Sequence, residues 1–229
     1  MAIENNLSAV IPGLTPSQCA AFEAYNRILL DWNTRMNLTA ITEPEQVATK
    51  HFADSLLPAD LLPKGARVID VGTGAGFPGL PLRIIRPDIK LTLLDSLQKR
   101  IGFLQALCEE LGFADVEFIH ARAEDGARQN ALRGRFDIAL SRAVAPCQVL
   151  LELTVPFLRI GGKSLMYKGP QAEEELCCAA RALTLLNSEA SIVEYPAPWG
   201  ERRVIIATKK GETPKAYPRK AGTPAKSPL

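Results

Sequence analysis

The chain has 229 residues, is 47% hydrophobic and 23% charged, and carries a net charge of +2, which suits one α/β domain plus an extension. Its five cysteines form an odd set without a Cys-x-x-Cys pair, and the first residues lack the basic start and apolar stretch of a secretory signal, so we expect a reduced cytoplasmic protein. Charges or prolines interrupt every apolar stretch before the roughly twenty residues that span a bilayer, which argues against a membrane protein.

Residues 1–60 predict a helical extension that packs on the rest of the chain. A helix start is indicated at Thr15, because this threonine is followed at once by proline and, three residues after the cap, by glutamine. A second, shorter helix is expected over residues 44–57. It carries His51 and Asp54 one turn apart, where both could face the site, although a lone histidine at this spacing is more often a structural residue.

Residues 61–209 alternate between strand and helix patterns, which predicts a parallel sheet covered by helices. The last two expected strands are joined by a short connection with proline and glycine, so they should pair antiparallel at one edge. This pattern resembles the Rossmann-like methyltransferase fold and departs from the usual dinucleotide domain. We therefore expect an α/β fold with a seven-stranded, mostly parallel sheet. The predicted strands are residues 66–71, 90–95, 115–120, 135–141, 160–167, 191–195 and 202–208.

A glycine turn follows the first expected strand and marks the candidate ligand site. Residues 70–76 read Asp-Val-Gly-Thr-Gly-Ala-Gly, and the glycines let the backbone turn sharply and leave no Cβ where a ligand must lie against the chain. The second strand ends in Asp95, whose carboxylate can accept hydrogen bonds from both hydroxyls of a ribose. Asp70, Gly72, Gly74 and Asp95 are therefore predicted to bind a nucleoside.

Two cofactors fit a glycine turn of this kind, and a bare structural turn is a third interpretation. Residues 74–79 also match the Gly-x-Gly-x-x-Gly dinucleotide fingerprint, in which a pyrophosphate lies on the amides that open the next helix. Pro78 and Pro81 remove two of those donors. S-adenosylmethionine has no phosphate, and its ammonium and sulfonium would be attracted to the carboxylate of Asp70. The turn therefore favours S-adenosylmethionine as the cofactor.

The ends of the third and fourth strands supply further candidates, because ligand contacts in an open α/β sheet gather at the carboxyl ends of its strands. Ala123 and Glu124 could offer a backbone amide and a polar group to an adenine edge. Arg142 stands where a methyl acceptor should approach, and it could orient the carboxylate of the cofactor or hold a nucleobase or phosphate. A solvent-facing arginine is the plainer interpretation.

The residues after the fourth strand limit the chemistry of the acceptor. The Asn/Asp-Pro-Pro-aromatic string that is common in adenine amino-group methylation does not occur. Cys147 follows a proline, as in cytosine C5 methylation, but Val144 stands where the Asp-Ala-Pro-Cys string has its aspartate, so a nucleophilic cysteine is disfavoured. A ring nitrogen that already carries a lone pair, such as guanine N7, needs only alignment. The absence of an obvious acid or base in this sequence fits such an acceptor.

The C-terminal segment, residues 210–229, is basic and rich in proline. From residue 209 onward the chain holds six basic residues and one acid, a charge of +5, so the remaining 208 residues carry −3. This composition predicts an extended, mobile tail, and a mobile basic arm is suited to contact RNA phosphates. The predicted RNA-binding residues are Lys209, Lys210, Arg219 and Lys220. A solubilising tail without a specific role is the alternative.

Longer strings resemble one known family, ribosomal RNA small subunit methyltransferase G, also called glucose-inhibited division protein B. The strings lie at residues 32–39, 51–55, 68–82, 93–100, 141–143 and 217–224, and the resemblance extends over nearly the whole chain. The resemblance implies a class I S-adenosylmethionine-dependent methyltransferase whose acceptor is N7 of a guanosine in the decoding-region loop of 16S ribosomal RNA. Carried over position by position, it places cofactor contacts at Gly72, Phe77, Ala123, Glu124 and Arg142, with Phe77 where leucine is common.

Three hypotheses are open at this point. The first is this methyltransferase, a cytoplasmic monomer without a metal that acts on small-subunit ribosomal RNA or on the ribosomal subunit, with Arg142 aligning the acceptor or the cofactor. The second is an NAD(P)-dependent oxidoreductase. The third is a non-catalytic RNA-binding module that has kept a nucleotide fold.

Overall fold

The computed structural model describes residues 7 and 9–229. Its strands are β1 (Arg67–Val71), β2 (Lys90–Asp95), β3 (Glu117–His120), β4 (Phe136–Arg142), β5 (Leu158–Lys168), β6 (Ser188–Tyr195) and β7 (Arg202–Lys209). They form one seven-stranded sheet in the order β3-β2-β1-β4-β5-β7-β6. Strands β1 to β5 run parallel, while β7 pairs antiparallel with both β5 and β6. The predicted α/β fold is therefore confirmed.

The sheet is covered on both faces, as expected for buried parallel strands. Neighbouring residues of β1 show this, because Val68 and Ile69 are both buried but belong to different core clusters. The predicted antiparallel pairing of the last two strands is confirmed. The sequence did not predict that β7 lies between β5 and β6. Since Lys168 pairs with Arg203, the start of β7 reaches the carboxyl edge of the parallel strands.

Helices flank the sheet. They are α1 (Pro16–Asn33), α2 (Pro44–Gln46), α3 (Asp54–Leu56), α4 (Gly79–Ile85), α5 (Gln98–Glu110), α6 (Ala123–Gly126), α7 (Cys147–Thr154), α8 (Ala172–Cys178), α9 (Ala180–Leu185) and α10 (Thr223–Lys226). A π-helical segment, Val47–Ala53, joins α2 to α3, so the helix expected over residues 44–57 is present with one widened stretch. In this described part of the chain, no helix is long and apolar enough to cross a membrane.

Helix α1 begins at the predicted cap. The amide of Gln18 donates to the Thr15 hydroxyl at 3.3 Å, and the amide of Thr15 donates to the Gln18 side chain at 2.9 Å, which completes a capping box. Tyr25, in the middle of the helix, is fully buried and donates from its hydroxyl to the carbonyl oxygen of Ala75 at 2.6 Å. The N-terminal extension therefore packs directly on the glycine turn.

The C-terminal segment is packed on the domain, so the prediction of an extended, mobile tail is wrong. Arg133 donates to the carbonyl oxygens of Thr213 and Tyr217 at 3.0 and 2.9 Å. Arg219 forms an ion pair at 2.6 Å with Glu152, whose side chain is fully buried. The prediction relied on composition, which gives no information about hydrogen bonds to the backbone. The domain holds the tail largely through such bonds, because its arginines donate to carbonyl groups of the tail.

Candidate active site

The glycine turn between β1 and α4 forms one wall of the candidate ligand site. Gly72, Gly74 and Gly76 have φ angles of 72°, 61° and 93°, a region that residues with a Cβ rarely adopt. A Cβ on Gly76 would lie 2.5 Å from the hydroxyl of Tyr25, so packing requires glycine there. A Cβ on Gly74 would meet only a backbone oxygen at 4.0 Å. The space beside Gly74 is therefore open to a ligand.

Asp70 lies near the end of β1 and is fully buried. Its Oδ2 accepts hydrogen bonds from the Thr73 hydroxyl at 2.8 Å and from the Gly79 amide at 2.9 Å, so it ties the turn together. Its Oδ1 is buried and has no hydrogen-bond partner among the described residues. Burial raises the pKa of Asp70 to about 6, although the hydrogen bonds from Thr73 and Gly79 oppose the rise. A buried carboxylate with one unpaired oxygen suits a cationic group of a ligand.

The first turn of α4 has no amide to spare for a phosphate. The amides of Gly79 and Leu80 donate to Asp70 and Gly76 at 2.9 Å each, and the amide of Leu82 donates one turn back at 3.3 Å. Prolines occupy the other two positions and have no N–H group. A pyrophosphate would have to displace hydrogen bonds that the protein already makes. This arrangement counts against the dinucleotide hypothesis.

Asp95 ends β2 beside the turn, where a ribose contact is predicted. Its Oδ2 accepts from the Gly74 amide at 3.0 Å and its Oδ1 from the Leu97 amide at 2.9 Å, and Arg100 pairs with it at 3.3 Å. A carboxylate offers about four lone-pair positions, so further hydroxyl donors can be accepted. The neighbouring Leu97 is 51% exposed and presents an apolar surface. Asp95 therefore offers an acceptor for ribose hydroxyls, and Leu97 beside it offers an apolar contact for a base.

Ala123 and Glu124 begin α6 shortly after β3, at the same edge of the sheet. Glu124 is buried, and its Oε1 accepts a hydrogen bond from the Gly222 amide at 2.8 Å. This contact engages one of the two carboxylate oxygens of Glu124, so the contact of its side chain with an adenine edge stays a prediction. The backbone of the pair remains a candidate for that contact.

Arg142 ends β4 and is held by the N-terminal extension. Its guanidinium donates to Oδ2 of Asp54 at 3.1 Å and to the carbonyl oxygen of His51 at 3.3 Å, and it lies 5.0 Å from the centroid of the Phe77 ring. The solvent-facing interpretation of Arg142 is therefore wrong. Burial, and then the charge of Arg142, lower the pKa of His51 to about 4, so the imidazole is neutral near pH 7. His51 and Asp54 support Arg142.

Asp54 joins three separate parts of the chain. Besides Arg142, its carboxylate accepts hydrogen bonds from Nε of Arg202 and, at 3.2 Å, from Nε1 of Trp199. The Asp54 side chain is only 8% exposed, so little water competes for these bonds. One carboxylate thus fixes the end of β4 relative to the start of β7.

A cavity of about 340 Å³ opens beside this cluster, and its lining includes residues from the ends of β4 and β5 and the start of β7. Two carboxylates in the lining, Asp54 and Glu175, are both engaged in ion pairs. Tyr167 in the lining stays protonated, because burial raises its pKa well above the ordinary value. The cationic lining residues are Arg142, Lys168, Arg202 and Arg203. All four cations are paired with carboxylates, but in the lining itself they outnumber the two acids, so the cavity has a net positive charge and lacks a free general base among these residues.

Sequence reasoning missed Lys168, Arg202 and Arg203 as site residues. The predicted antiparallel pairing carried a usable signal, because the start of an antiparallel strand lies at the carboxyl edge of its parallel neighbours. That signal needed the position of β7 next to β5, which the sequence alone did not show. Across residues 7 and 9–229, no group of three or more His, Cys, Asp or Glu side chains is placed to hold a metal ion.

Two other candidates are buried side chains. Phe77 is 7% exposed and stacks between Tyr25 and His51, at centroid distances of 5.3 and 4.5 Å, so its ring is part of the core that joins the extension to the turn. Cys147 is fully buried, and burial raises the pKa of its thiol to about 12. Burial and the raised pKa therefore argue against a nucleophilic role for Cys147 at neutral pH.

The four predicted RNA-binding residues have different surroundings. Lys209 is 2% exposed and donates to the first carbonyl of β5 at 2.8 Å, and Arg219 is tied to a buried glutamate. Neither side chain is free to contact RNA, which corrects those two expectations. Lys210 and Lys220 are exposed. Lys210, however, follows the end of β7, which lies at the sheet edge opposite the glycine turn.

The residues present fit S-adenosylmethionine better than a phosphate-bearing cofactor. Asp70 offers an unpaired buried oxygen to a cation, Gly74 leaves room against the backbone, and Asp95 can accept ribose hydroxyls, whereas α4 offers no free amides in its first turn. Together with the mixed seven-stranded sheet, this site defines a class I S-adenosylmethionine-dependent methyltransferase.

The chain belongs to the GidB family, described as rRNA small subunit methyltransferase G, whose sequence profile matches residues 18–203. The ribosomal RNA small subunit methyltransferase G of Streptococcus agalactiae serotype V is 48% identical over 223 residues, which cover 94% of this chain and 93% of the relative. The protein of the same name from Streptococcus pyogenes serotype M12 is 48% identical over 221 residues, with the same coverage. The family resemblance noted from the sequence is confirmed.

Solved structures support the fold. The O-methyltransferase from Bacillus cereus in complex with SAH has a TM-score of 0.60 at 17% identity and covers 92% of this chain and 98% of its own. A methyltransferase from Pyrococcus furiosus has a TM-score of 0.56 at 18% identity, with coverages of 82% and 97%.

Proposed function

We propose that the chain transfers the methyl group of S-adenosylmethionine to N7 of a guanosine in the decoding-region loop of 16S ribosomal RNA. The substrate class follows from family membership, since the relatives are named for small-subunit ribosomal RNA. The observation that carries the choice of acceptor is the cavity beside Arg142. Its described carboxylates are paired and its tyrosine is protonated, so the acceptor must be nucleophilic without help.

The cofactor supplies an electrophilic methyl group on a positively charged sulfur. Attack by the lone pair of guanine N7 would form the new C–N bond as the C–S bond breaks, which would release a neutral thioether and leave the positive charge on the guanine ring. No proton has to be removed from N7 in this step. The protein therefore acts by alignment and by excluding water.

Arg142 is the residue that we assign to this alignment. Its guanidinium is 13% exposed and is held at the end of β4 by Asp54 and by the carbonyl of His51. A planar guanidinium fixed in this way can hydrogen-bond a guanine edge or a phosphate oxygen. Lys168, Arg202 and Arg203 add positive charge for the RNA backbone. The protein would reach RNA with these residues, and the exposed Lys220 of the C-terminal segment stays a predicted RNA contact.

The test is methyl transfer to 16S ribosomal RNA from a strain that lacks the modification, with naked RNA and the small subunit assayed in parallel. Mass spectrometry of the digested nucleosides identifies the product. We expect 7-methylguanosine from at least one of the two substrates. A different methylated nucleoside would contradict the acceptor, and no transfer to either substrate would favour the RNA-binding module.

The proposal includes a monomeric enzyme in the cytoplasm. The chain has a mass of 24.9 kDa, and one chain supplies both the turn and the cavity. Light scattering during gel filtration should therefore give a mass near that of one chain with full transfer activity. Activity that falls on dilution along with dissociation of a dimer would contradict it.

A further inference from the structure

One short stretch of chain beside the candidate adenine site holds the C-terminal segment. This stretch, residues 124–133, starts in α6, at the edge of the sheet that also carries Asp95. Its hydrogen bonds to the segment join Glu124 to Gly222 at 2.8 Å, Arg128 to Pro218 at 2.8 Å, and Arg133 to Tyr217 at 2.9 Å. The segment therefore fastens to the part of the domain where the adenine end of the cofactor is expected.

A second attachment fixes the segment to α7. Glu152 is fully buried, and its two oxygens accept from the Arg219 amide at 2.7 Å and from Nε and a terminal nitrogen of the guanidinium at 3.0 and 2.6 Å. A two-pronged, enclosed ion pair of this kind is geometrically specific, and its loss would leave a buried charge unpaired. The hydrogen bonds that Arg219 donates to Glu152 also raise the pKa of Arg219. The position of the segment is therefore specified by its sequence.

We propose that residues 213–222, within the C-terminal segment, are a positioning element of the cofactor site. It holds Glu124, and with it α6, in the geometry that receives the adenine end of S-adenosylmethionine. Glu124 acts through its hydrogen bond to Gly222 and not by direct contact of its carboxylate with adenine. The inference rests on the proposed function only in placing the cofactor at the carboxyl ends of β1, β2 and β3. It replaces the expectation of a mobile RNA-binding arm, while Lys220 stays a predicted RNA contact.

The test compares four single variants with the wild type in calorimetric titrations with S-adenosylhomocysteine. Glu124→Ala removes the acceptor for the Gly222 amide, whereas Glu124→Gln keeps an oxygen that can accept it. Arg219→Gln breaks the ion pair with Glu152. Lys215→Ala removes an exposed tail charge that has no described contact and serves as the control.

We expect Glu124→Ala and Arg219→Gln to weaken S-adenosylhomocysteine binding by at least about tenfold, while Glu124→Gln and Lys215→Ala bind as the wild type does. The KM for ribosomal RNA should change less than the cofactor affinity in every variant. Thermal melting identifies any variant that fails to fold. If Arg219→Gln fails to fold, the comparison of Glu124→Ala with Glu124→Gln still tests the inference.

A further readout uses the unaltered protein. Because coupling between two sites is reciprocal, bound S-adenosylhomocysteine should slow amide hydrogen exchange in the C-terminal segment. Equal losses of affinity in Glu124→Ala and Glu124→Gln would show that the carboxylate itself contacts the cofactor, which overturns the inference. Wild-type affinity in both folded Glu124→Ala and Arg219→Gln would also overturn it and leave the proposed function intact. A wild-type protein that does not bind S-adenosylhomocysteine would overturn both.

Discussion

The two halves of the site are built by different physical means. The cofactor half is centred on one continuous stretch, residues 70–79, whose turn is closed by hydrogen bonds to Asp70 and by glycines with positive φ, and which Asp95 and α6 flank. The acceptor half collects Asp54, Arg142 and Arg202 from distant parts of the chain and joins them by charge. The first half should therefore fail when a side chain is added, and the second when a charge is removed.

This difference separates two measurable functions. Damage to the turn should appear as lost affinity for the cofactor, whereas damage to the charge cluster should appear as slower methyl transfer to RNA with the cofactor still bound. Variants that lower both the cofactor affinity and the rate of methyl transfer to RNA would show that the two halves are not independent.

The largest effect is expected for Gly74→Asp, which places a charged side chain in the open space beside the turn. Affinity for S-adenosylhomocysteine should fall by at least about 100-fold, measured by calorimetry. Gly112→Asp is the matched control, because Gly112 has a similar φ of 70° and open space around it, but lies just after α5. Backbone strain is thus similar in both variants, and a comparable loss in both would contradict a ligand at Gly74.

Asp54→Ala tests the acceptor half. Removing this carboxylate leaves Arg142 and Arg202 without their shared partner, so kcat/KM for RNA should fall about 30-fold, or about 2 kcal/mol, with affinity for S-adenosylhomocysteine within about threefold. The folded state should also lose about 3 kcal/mol in a denaturant titration. Asp31→Ala breaks an ion pair with Arg35 whose side chains are 57% and 67% exposed, and should change neither quantity. Unchanged transfer in Asp54→Ala would remove Arg142 from its assigned role.

Asp70 gives the cofactor half a pH dependence. Its folded-state pKa is about 6, so the carboxylate becomes charged as the pH rises from 5 to 7, and affinity for the cationic S-adenosylmethionine should increase about tenfold over that range. Asp70→Asn should abolish this increase. A slope that persists in the variant would assign the titration to another group.

The raised pKa of Asp70 also means that its ionised carboxylate lowers the stability of the ligand-free protein at neutral pH. A carboxyl whose folded pKa lies above its ordinary value of 3.8 stabilises the folded state less as the pH rises from 3.8 to 6. His51, with a folded pKa near 4 against 6.5, acts in the opposite direction, because its neutral form is favoured on folding. Asp70→Asn should therefore melt at a higher temperature than the wild type at pH 7, although it binds the cofactor less well.

The smallest effect is expected for Phe77→Leu. This change keeps an apolar side chain but removes the stacking with Tyr25 and His51, so the folded state should lose about 1 kcal/mol in a denaturant titration. Cofactor affinity should stay within about threefold. A much larger loss of affinity would mean that the ring itself touches the cofactor.

The strands were predictable because each strand of a buried parallel sheet is a short, continuous run of apolar residues in the sequence. The run that ends in Asp95 was placed at residues 90–95, as observed, and the glycine turn was recognisable since its conformation demands specific residues at fixed spacing. The capping box at Thr15 is equally local. Features that depend only on residues close together in the chain could therefore be predicted from the sequence.

The acceptor half and the tail were not predictable in the same way. Asp54 and Arg202 are 148 positions apart, and no periodicity connects them. The tail has the composition of a mobile segment, but its carbonyl groups are held by Arg128 and Arg133, which the sequence gives no reason to associate with it. Pairings of this kind become visible only when the order of the strands is known.

The most direct test of the account is a calorimetric titration of the wild-type protein with S-adenosylhomocysteine and, separately, with NADH and NADPH. The central claim is that the turn at Asp70 binds S-adenosylmethionine and offers no free backbone amides to bind phosphates. We predict saturable binding of one S-adenosylhomocysteine per chain and no binding of either dinucleotide. Saturable binding of NADH or NADPH that S-adenosylhomocysteine displaces would contradict the account.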